Sequence, residues 1–444
     1  MMMTPKLASV RLQGQGMSRI FGPVFGQAVF VAAVLFITSP WLMAQRLTPL
    51  VTEVDWASLE IYQETMSRED FLRLLSTRFA PRGSSATVIK VGEESATILT
   101  RLDPPKEWVL RFSQGKGKMP PRYWRTAAEL GPSPQGKPLY GLHIALDPGH
   151  LGGKWARMEE RWFQIGEDSP VTEGDMVLVV ARMLAEELKR RGARVSFTRT
   201  STSPTTSLRS DRLYKEAKAS LRDRGITPLV EKYEGWEDPR RGRSVQAEAE
   251  RLFYRVAEIR ARAELVNRKL KPDLVLCIHF NAEVWGDPRN PTLVEKSHLH
   301  LLVNGAYSRN ELTYDDVRRD MLVRILNRSS DEEVAVSKKV AQAMAAITGL
   351  PPYEYTGDNA VRLSEYVWAR NLLANRIFEC PVVFLEPYVM NSKQDYARIQ
   401  AGDYAGQREI GGRLVRSIYR EYVDGVVAGL EKYYETARSG ARDE

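Results

Sequence analysis

Two histidines and two glutamates sit at the ends of apolar runs in this 444-residue chain, and their types suit metal-assisted hydrolysis. His150 follows the run LHIALD in DPGHLGG, and His279 lies near the end of DLVLCIHF. Glu173 opens EGDMVLVVARMLAEEL, and Glu386 ends PVVFLE. Two imidazoles and one carboxylate with one open position make a common catalytic zinc shell, in which the cation lowers the pKa of its water to about 7 and polarises a carbonyl. A separate carboxylate beside such a centre can take a proton from water and return it to a leaving amine. This chemistry assigns His150, Glu173 and His279 to Zn2+ and Glu386 to proton transfer. Each residue also has a plainer reading: a structural histidine at a strand end, or a glutamate in a loop salt bridge.

Other polar residues fall near these four. Asp147 either braces a ligand imidazole or fixes the turn after its strand. Arg199 either steadies a substrate carboxylate or pairs with an acid. Asn281 and Asn391 are placed to fix the two site loops. His298 and His300 alternate with Leu299 and so share one face of a strand, as substrate-orienting groups, rival ligands or a hydrogen-bonded buried pair. EERWF (Glu159 to Phe163) reads as an aromatic substrate wall or as a packed loop anchor.

The elements that must position these residues follow from periodicity. Leu142 to Asp147, Ala193 to Thr198, Asp273 to Phe280, His298 to Asn304 and Pro381 to Glu386 read as strands. Helices are expected over Glu173 to Arg191, Ala247 to Lys269, Glu332 to Ile347 and Gly406 to Tyr434, the last with breaks at Gly411, Gly412, Gly425 and Gly429. Thr172 and Asp175 resemble a capping box. The alternation gives an α/β fold, a mixed and largely parallel sheet flanked by helices, with ligands at the carboxyl ends of its strands.

Residues 47–112 read as a small α+β domain: a helix capped by Ser67, then ATVIKV, SATILT and EWVLRF as strands. Residues 113–137, rich in Gly, Pro and Lys, read as a linker to a catalytic domain over 138–440. Two charged segments, near 201–244 and 306–330, read as insertions on the surface; either could border a groove for a long substrate.

At the N-terminus, Lys6, Arg11 and Arg19 precede an apolar run densest from Ala28 to Ile37. Residues 1–44 read as a signal peptide with cleavage after Ala44, or as an uncleaved anchor. An export signal places the chain in the periplasm or cell envelope, touching membrane only if that segment stays. The net charge is +8, of which residues 1–44 hold three, and no basic stripe interleaved with aromatics argues for nucleic acid. Cys277 and Cys380 are too few for a disulfide framework and read as buried thiols.

From about Leu142 to Tyr434 the chain resembles the zinc-dependent N-acetylmuramoyl-L-alanine amidases of the type 3 family. IALDPGHLGG resembles the first ligand motif, and TEGDMVLVVARMLAEEL the ligand-glutamate helix. GARVSFTRT resembles the next strand, ending in Arg199. RARAELVNRKLKPDLVLCIHFNAE resembles the element leading to the second ligand histidine, with Arg262, Asn267 and His279. FLEPYVMNSKQD resembles the closing motif with Glu386 and Asn391. The resemblance implies cleavage of the amide between the lactyl group of N-acetylmuramic acid and L-alanine in peptidoglycan. Leu151 interrupts the usual glycine run, the His150–Glu173 spacing is long, and both insertions are unusual. These departures bear on the substrate more than on the metal. The rival readings are a zinc amidase or peptidase of the same fold acting elsewhere, and a catalytically silent envelope-binding protein.

Overall fold

A computed structural model of the chain describes residues 46–439 except residue 116. The segment read as a signal or anchor lies outside the described residues, and so does residue 440. After a short 3-10 turn at Ala57–Tyr62 comes α1 (Arg68–Leu74), whose first turn is capped by Ser67 accepting from the Asp70 N–H at 3.1 Å. A meander of β1 (Ile89–Val91), β2 (Ser95–Leu102) and β3 (Pro105–Arg111) follows.

Next come β4 (His143–Pro148), a small hairpin of β5 (Trp162–Phe163) and β6 (Val171–Thr172), α2 (Glu173–Arg190) and β7 (Arg194–Phe197). The helices α3 (Tyr214–Asp223), α4 (Val245–Arg251) and α5 (Glu258–Glu264) lead to β8 (Leu274–Ile278) and β9 (Leu299–Val303). A π-helical stretch, Leu252–Ala257, joins α4 to α5. Then follow α6 (Asp315–Leu326), α7 (Ser329–Thr348), β10 (Val361–Arg362), β11 (Val367–Ala369), α8 (Leu373–Ile377) and β12 (Val382–Pro387). The chain closes with α9 (Lys393–Gln400), β13 (Gln407–Ile410), β14 (Arg413–Arg416) and α10 (Ile418–Ser439).

Seven strands form the main sheet in the order β10-β11-β9-β12-β8-β4-β7. The run β12, β8, β4, β7 is parallel, while β9 pairs antiparallel with β12. The sheet is therefore mixed and largely parallel, as expected. The central strands are continuous apolar runs because both faces are covered. Ile144, Leu146, Leu276 and Leu385 pack towards α2, α7 and α10. Ala145, Val275, Cys277 and Phe384 face the opposite side, with Ala263 of α5 and Ala374 of α8. Pro148 and Leu385 both pair with Ile278, so the carboxyl ends of β4, β8 and β12 lie side by side. Cys277 and Cys380 are buried and free.

Three expectations change. Residues 407–416 form a hairpin rather than the start of the last helix. Its turn, Gly411–Gly412, holds φ of +60° and +74°, and a two-residue hairpin turn with both central residues at positive φ strongly favours glycine. Beyond it α10 runs unbroken through Gly425 and Gly429, and the missing side chain at Gly429 lets α7 pack close. Thr172 makes no capping bond: its hydroxyl donates to Asp175, which also accepts from the Gly153 N–H at 2.7 Å. Finally, residues 306–330 are not a surface excursion. Leu312, Met321, Leu322 and Ile325 share one apolar core with Phe71, Phe79, Ile98 and Leu110. The charged appearance of that segment misled because Arg318 and Arg324 are themselves buried and paired.

Candidate active site

The loop after β4 carries His150 in a left-handed conformation, φ +51°. Two buried arginines clamp its carbonyls. Arg262 donates to the Pro148 oxygen at 2.8 Å and to Asp147 at 3.2 Å. Arg199 donates to the Gly149 oxygen at 2.7 Å and the Pro148 oxygen at 3.1 Å. Asp147 also accepts from the Thr198 hydroxyl at 2.5 Å. Of the alternatives open for Asp147, the geometry is that of a turn brace. Arg199 spends its donors on backbone carbonyls, neither on an exposed anion nor on an acid. A Cβ on Gly149 would fall 2.1 Å from His279, so the loop can approach that ring only as glycine.

β8 delivers His279 to the same edge, where its ring stacks on Phe384 of β12 at 4.3 Å. The first residue of α2 is Glu173, which is buried between the two histidines. Glu173 Oε2 lies 3.3 Å from His150 Nε2, and Oε1 lies 3.1 Å from His279 Nδ1. One donor atom from each of His150, Glu173 and His279 lies within 4.8 Å of the others. Oε1 also accepts the Phe280 N–H at 3.2 Å, which fixes the carboxylate's orientation.

Burial, then the charges of Arg161 and His279, pushes the His150 imidazole well below its usual value. It is therefore neutral at physiological pH, the form that ligates a cation. Behind it, 3.8 Å from Nδ1, lies the buried carboxyl of Glu159, which accepts the Leu151 N–H at 2.8 Å. Burial pushes Glu159 up to about 7. Glu386 lines the same cleft at the end of β12. Desolvation, then the nearby charge of Glu173, raises its carboxyl well above the ordinary range, while Arg161 and Arg370 oppose the shift.

Asn391 accepts from the Glu283 N–H at 2.9 Å and donates to the Thr292 carbonyl at 3.0 Å, pinning the loop after β8. Asn281 accepts from the next residue's N–H at 2.6 Å, and its backbone bridges to Val389. The His298 and His300 rings pack on Tyr353, and His300 meets the Tyr355 hydroxyl at 3.2 Å. His298 Nε2 stands 3.6 Å from Glu283. His300 is register partner to Glu386, yet neither histidine joins the cluster of His150, Glu173 and His279.

Two residues escaped the sequence reading. Glu159 belongs to EERWF, a motif read for its aromatics. Arg161, two residues on, holds Glu173 Oε2 at 3.1 Å. The paired acids of that motif were the available signal.

A family model described as N-acetylmuramoyl-L-alanine amidase matches residues 144–419, well over half of the chain. The chain belongs to that family. As a member it is an amidase, a hydrolase of amide bonds, and the family is the one its motifs resemble. The N-acetylmuramyl-L-alanine amidase Ami1 from Mycobacterium smegmatis superposes with a TM-score of 0.34 at 15% identity, covering 67% of this chain and 99% of its own. The CwlD amidase from Clostridioides difficile, solved with the GerS lipoprotein, gives 0.37 at 13% identity over 67% and 100%. The catalytic domain of the amidase CwlV from Bacillus (Paenibacillus) polymyxa gives 0.31 at 12% identity over 66% and 98%. No curated protein sequence matches the amidase.

Proposed function

We propose that this amidase is zinc-dependent and cleaves the bond between N-acetylmuramic acid and the L-alanine that begins the peptidoglycan stem peptide, acting in the cell envelope after export. The meeting of His150, Glu173 and His279 beside Glu386 carries the reading. Two imidazole nitrogens and a carboxylate fit the borderline character of Zn2+ and leave a position open. When bound, zinc supplies Lewis acidity to water and to the amide carbonyl.

The chain's own groups supply the rest. Glu386 takes a proton from the attacking water as its oxygen bonds to the lactyl carbonyl carbon. It then gives that proton to the alanine nitrogen as the C–N bond breaks. A carboxylate held above its ordinary pKa suits both roles, because it is basic enough to accept and acidic enough to return. Arg161, paired with Glu173 and close to Glu386, offsets the repulsion between the two carboxylates. Glu159, behind the His150 ring, holds the Leu151 N–H and so braces the loop that carries the ligand ring. Residues 1–44, outside the described part, carry the export reading. Among the described residues no helix is long and apolar enough to cross a membrane.

The test is Glu386→Gln. Zinc content by elemental analysis should match the parent, while peptidoglycan turnover falls by about 10²–10⁴-fold. Near-parental turnover would remove Glu386 from the mechanism. His150→Ala or His279→Ala should instead strip the metal.

A further inference from the structure

Two cavities of opposite character meet at the reacting residues. His150, Arg161 and Glu386 line both. The first is an open cleft of about 610 Å³ carrying Trp162, Trp236 and Trp285, with four carboxylates and two arginines. Trp236 and the Arg241 that stacks on it at 3.7 Å come from the segment 201–244. The second, about 420 Å³, lies against the helix running through α4 and α5 and carries six arginines and three carboxylates.

Most of those arginines are committed. Arg251 pairs with Glu248, Arg260 with Asp316, Arg262 with Asp147 and Glu258, and Arg376 with Asp320. Arg255 differs: among the described residues it is in no ion pair, and it is exposed. It sits on the π-helical stretch, beside the Tyr254 ring at 5.6 Å. π-Helical turns inside α-helices are frequent at functional sites.

The scissile amide proposed above joins two chemically unlike halves. Its acyl side is an uncharged sugar framework with flat C–H faces. Its amine side is a peptide that ends in a carboxylate. Aromatic rings suit the first, and a guanidinium suits the second through charge-assisted hydrogen bonds. In the tryptophan cleft the guanidiniums are already spent on acids, Arg241 on Glu160 and Arg161 on Glu173, so it offers a peptide carboxylate no unpaired guanidinium. We propose that the tryptophan cleft receives the glycan and the arginine cavity receives the stem peptide, with Arg255, a cation in no ion pair among the described residues, engaging a peptide carboxylate. This assignment rests on the amidase reading and fixes the direction in which substrate lies across Glu386.

The experiment uses the zinc-loaded protein and two matched N-acetylmuramoyl-L-alanyl peptides, one with free carboxylates and one with every carboxyl group amidated. The unaltered protein should favour the free form about 10-fold or more in kcat/KM, mainly through KM, the scale of one charge-assisted bond. In Arg255→Gln that ratio should collapse towards one, and Arg255→Lys should recover part of it. A loss of fold or of zinc would lower both rates and leave the ratio standing. Equal cleavage of both peptides by the unaltered protein, or an unchanged ratio in Arg255→Gln, overturns the assignment while sparing the amidase reading. Cleavage of neither peptide overturns the amidase reading and the assignment with it.

Discussion

His150 occupies a backbone region that non-glycine residues avoid at a cost of roughly 1–2 kcal/mol. The bonds from Arg199 and Arg262 to neighbouring carbonyls offset that cost and hold the loop that presents the ring. Two predictions belong at this scale. Glu159→Ala should weaken zinc affinity about 10–100-fold by removing the carboxyl behind the ligand ring, read by chelator competition. Gly149→Ala should abolish stoichiometric zinc while leaving the far-UV circular dichroism close to the parent, since the three atoms nearest the new Cβ all belong to the His279 ring. The gathering of His150, Glu173, His279 and Glu386 at one edge was legible because each sits at the junction of an apolar run and a loop, where an α/β sheet gathers its chemistry. Glu159 was not, because nothing in a run of two glutamates says which one folds inward behind an imidazole. Nor could spacing show that Arg199 would bind carbonyls: that depends on how tightly the loop after β4 curls.

At the level of elements, the central strands and α2 read clearly because burial on both faces of the sheet, or along one helix stripe, writes itself into the periodicity. The end of the chain did not, because a short exposed hairpin with polar strands carries no such signature, and its glycines resemble helix breaks. Residues 306–330 misled for another reason. Buried arginines look like solvent residues in a sequence. Arg78 and Arg324 both hold Glu333 Oε2 at 2.8 Å inside the fold. Glu333→Ala leaves two buried guanidiniums without their carboxylate and should cost about 3–5 kcal/mol, seen as a lowered denaturant midpoint. A change below about 1 kcal/mol would mean that backbone carbonyls alone satisfy both arginines.

Across the whole molecule, residues 46–439 fall within one compact unit, and the first three strands share a core with α6. Arg78 reaches from that first region to the Asn304 carbonyl at the end of β9, next but one to the strand bearing His279. Thr48 and Pro49 also line the arginine cavity. Removing residues 46–112 should therefore expose the apolar face of α6 and yield aggregated or proteolytically labile protein rather than a free-standing amidase; a soluble, active remainder would contradict this. The central claim concerns the bond that is cut and the cation needed to cut it. Purified protein should release stem peptides with a free N-terminal L-alanine from peptidoglycan, seen by mass spectrometry, with release stopped by a chelator and restored by added zinc. Release untouched by chelation, or fragments that begin at any other residue, would contradict the account.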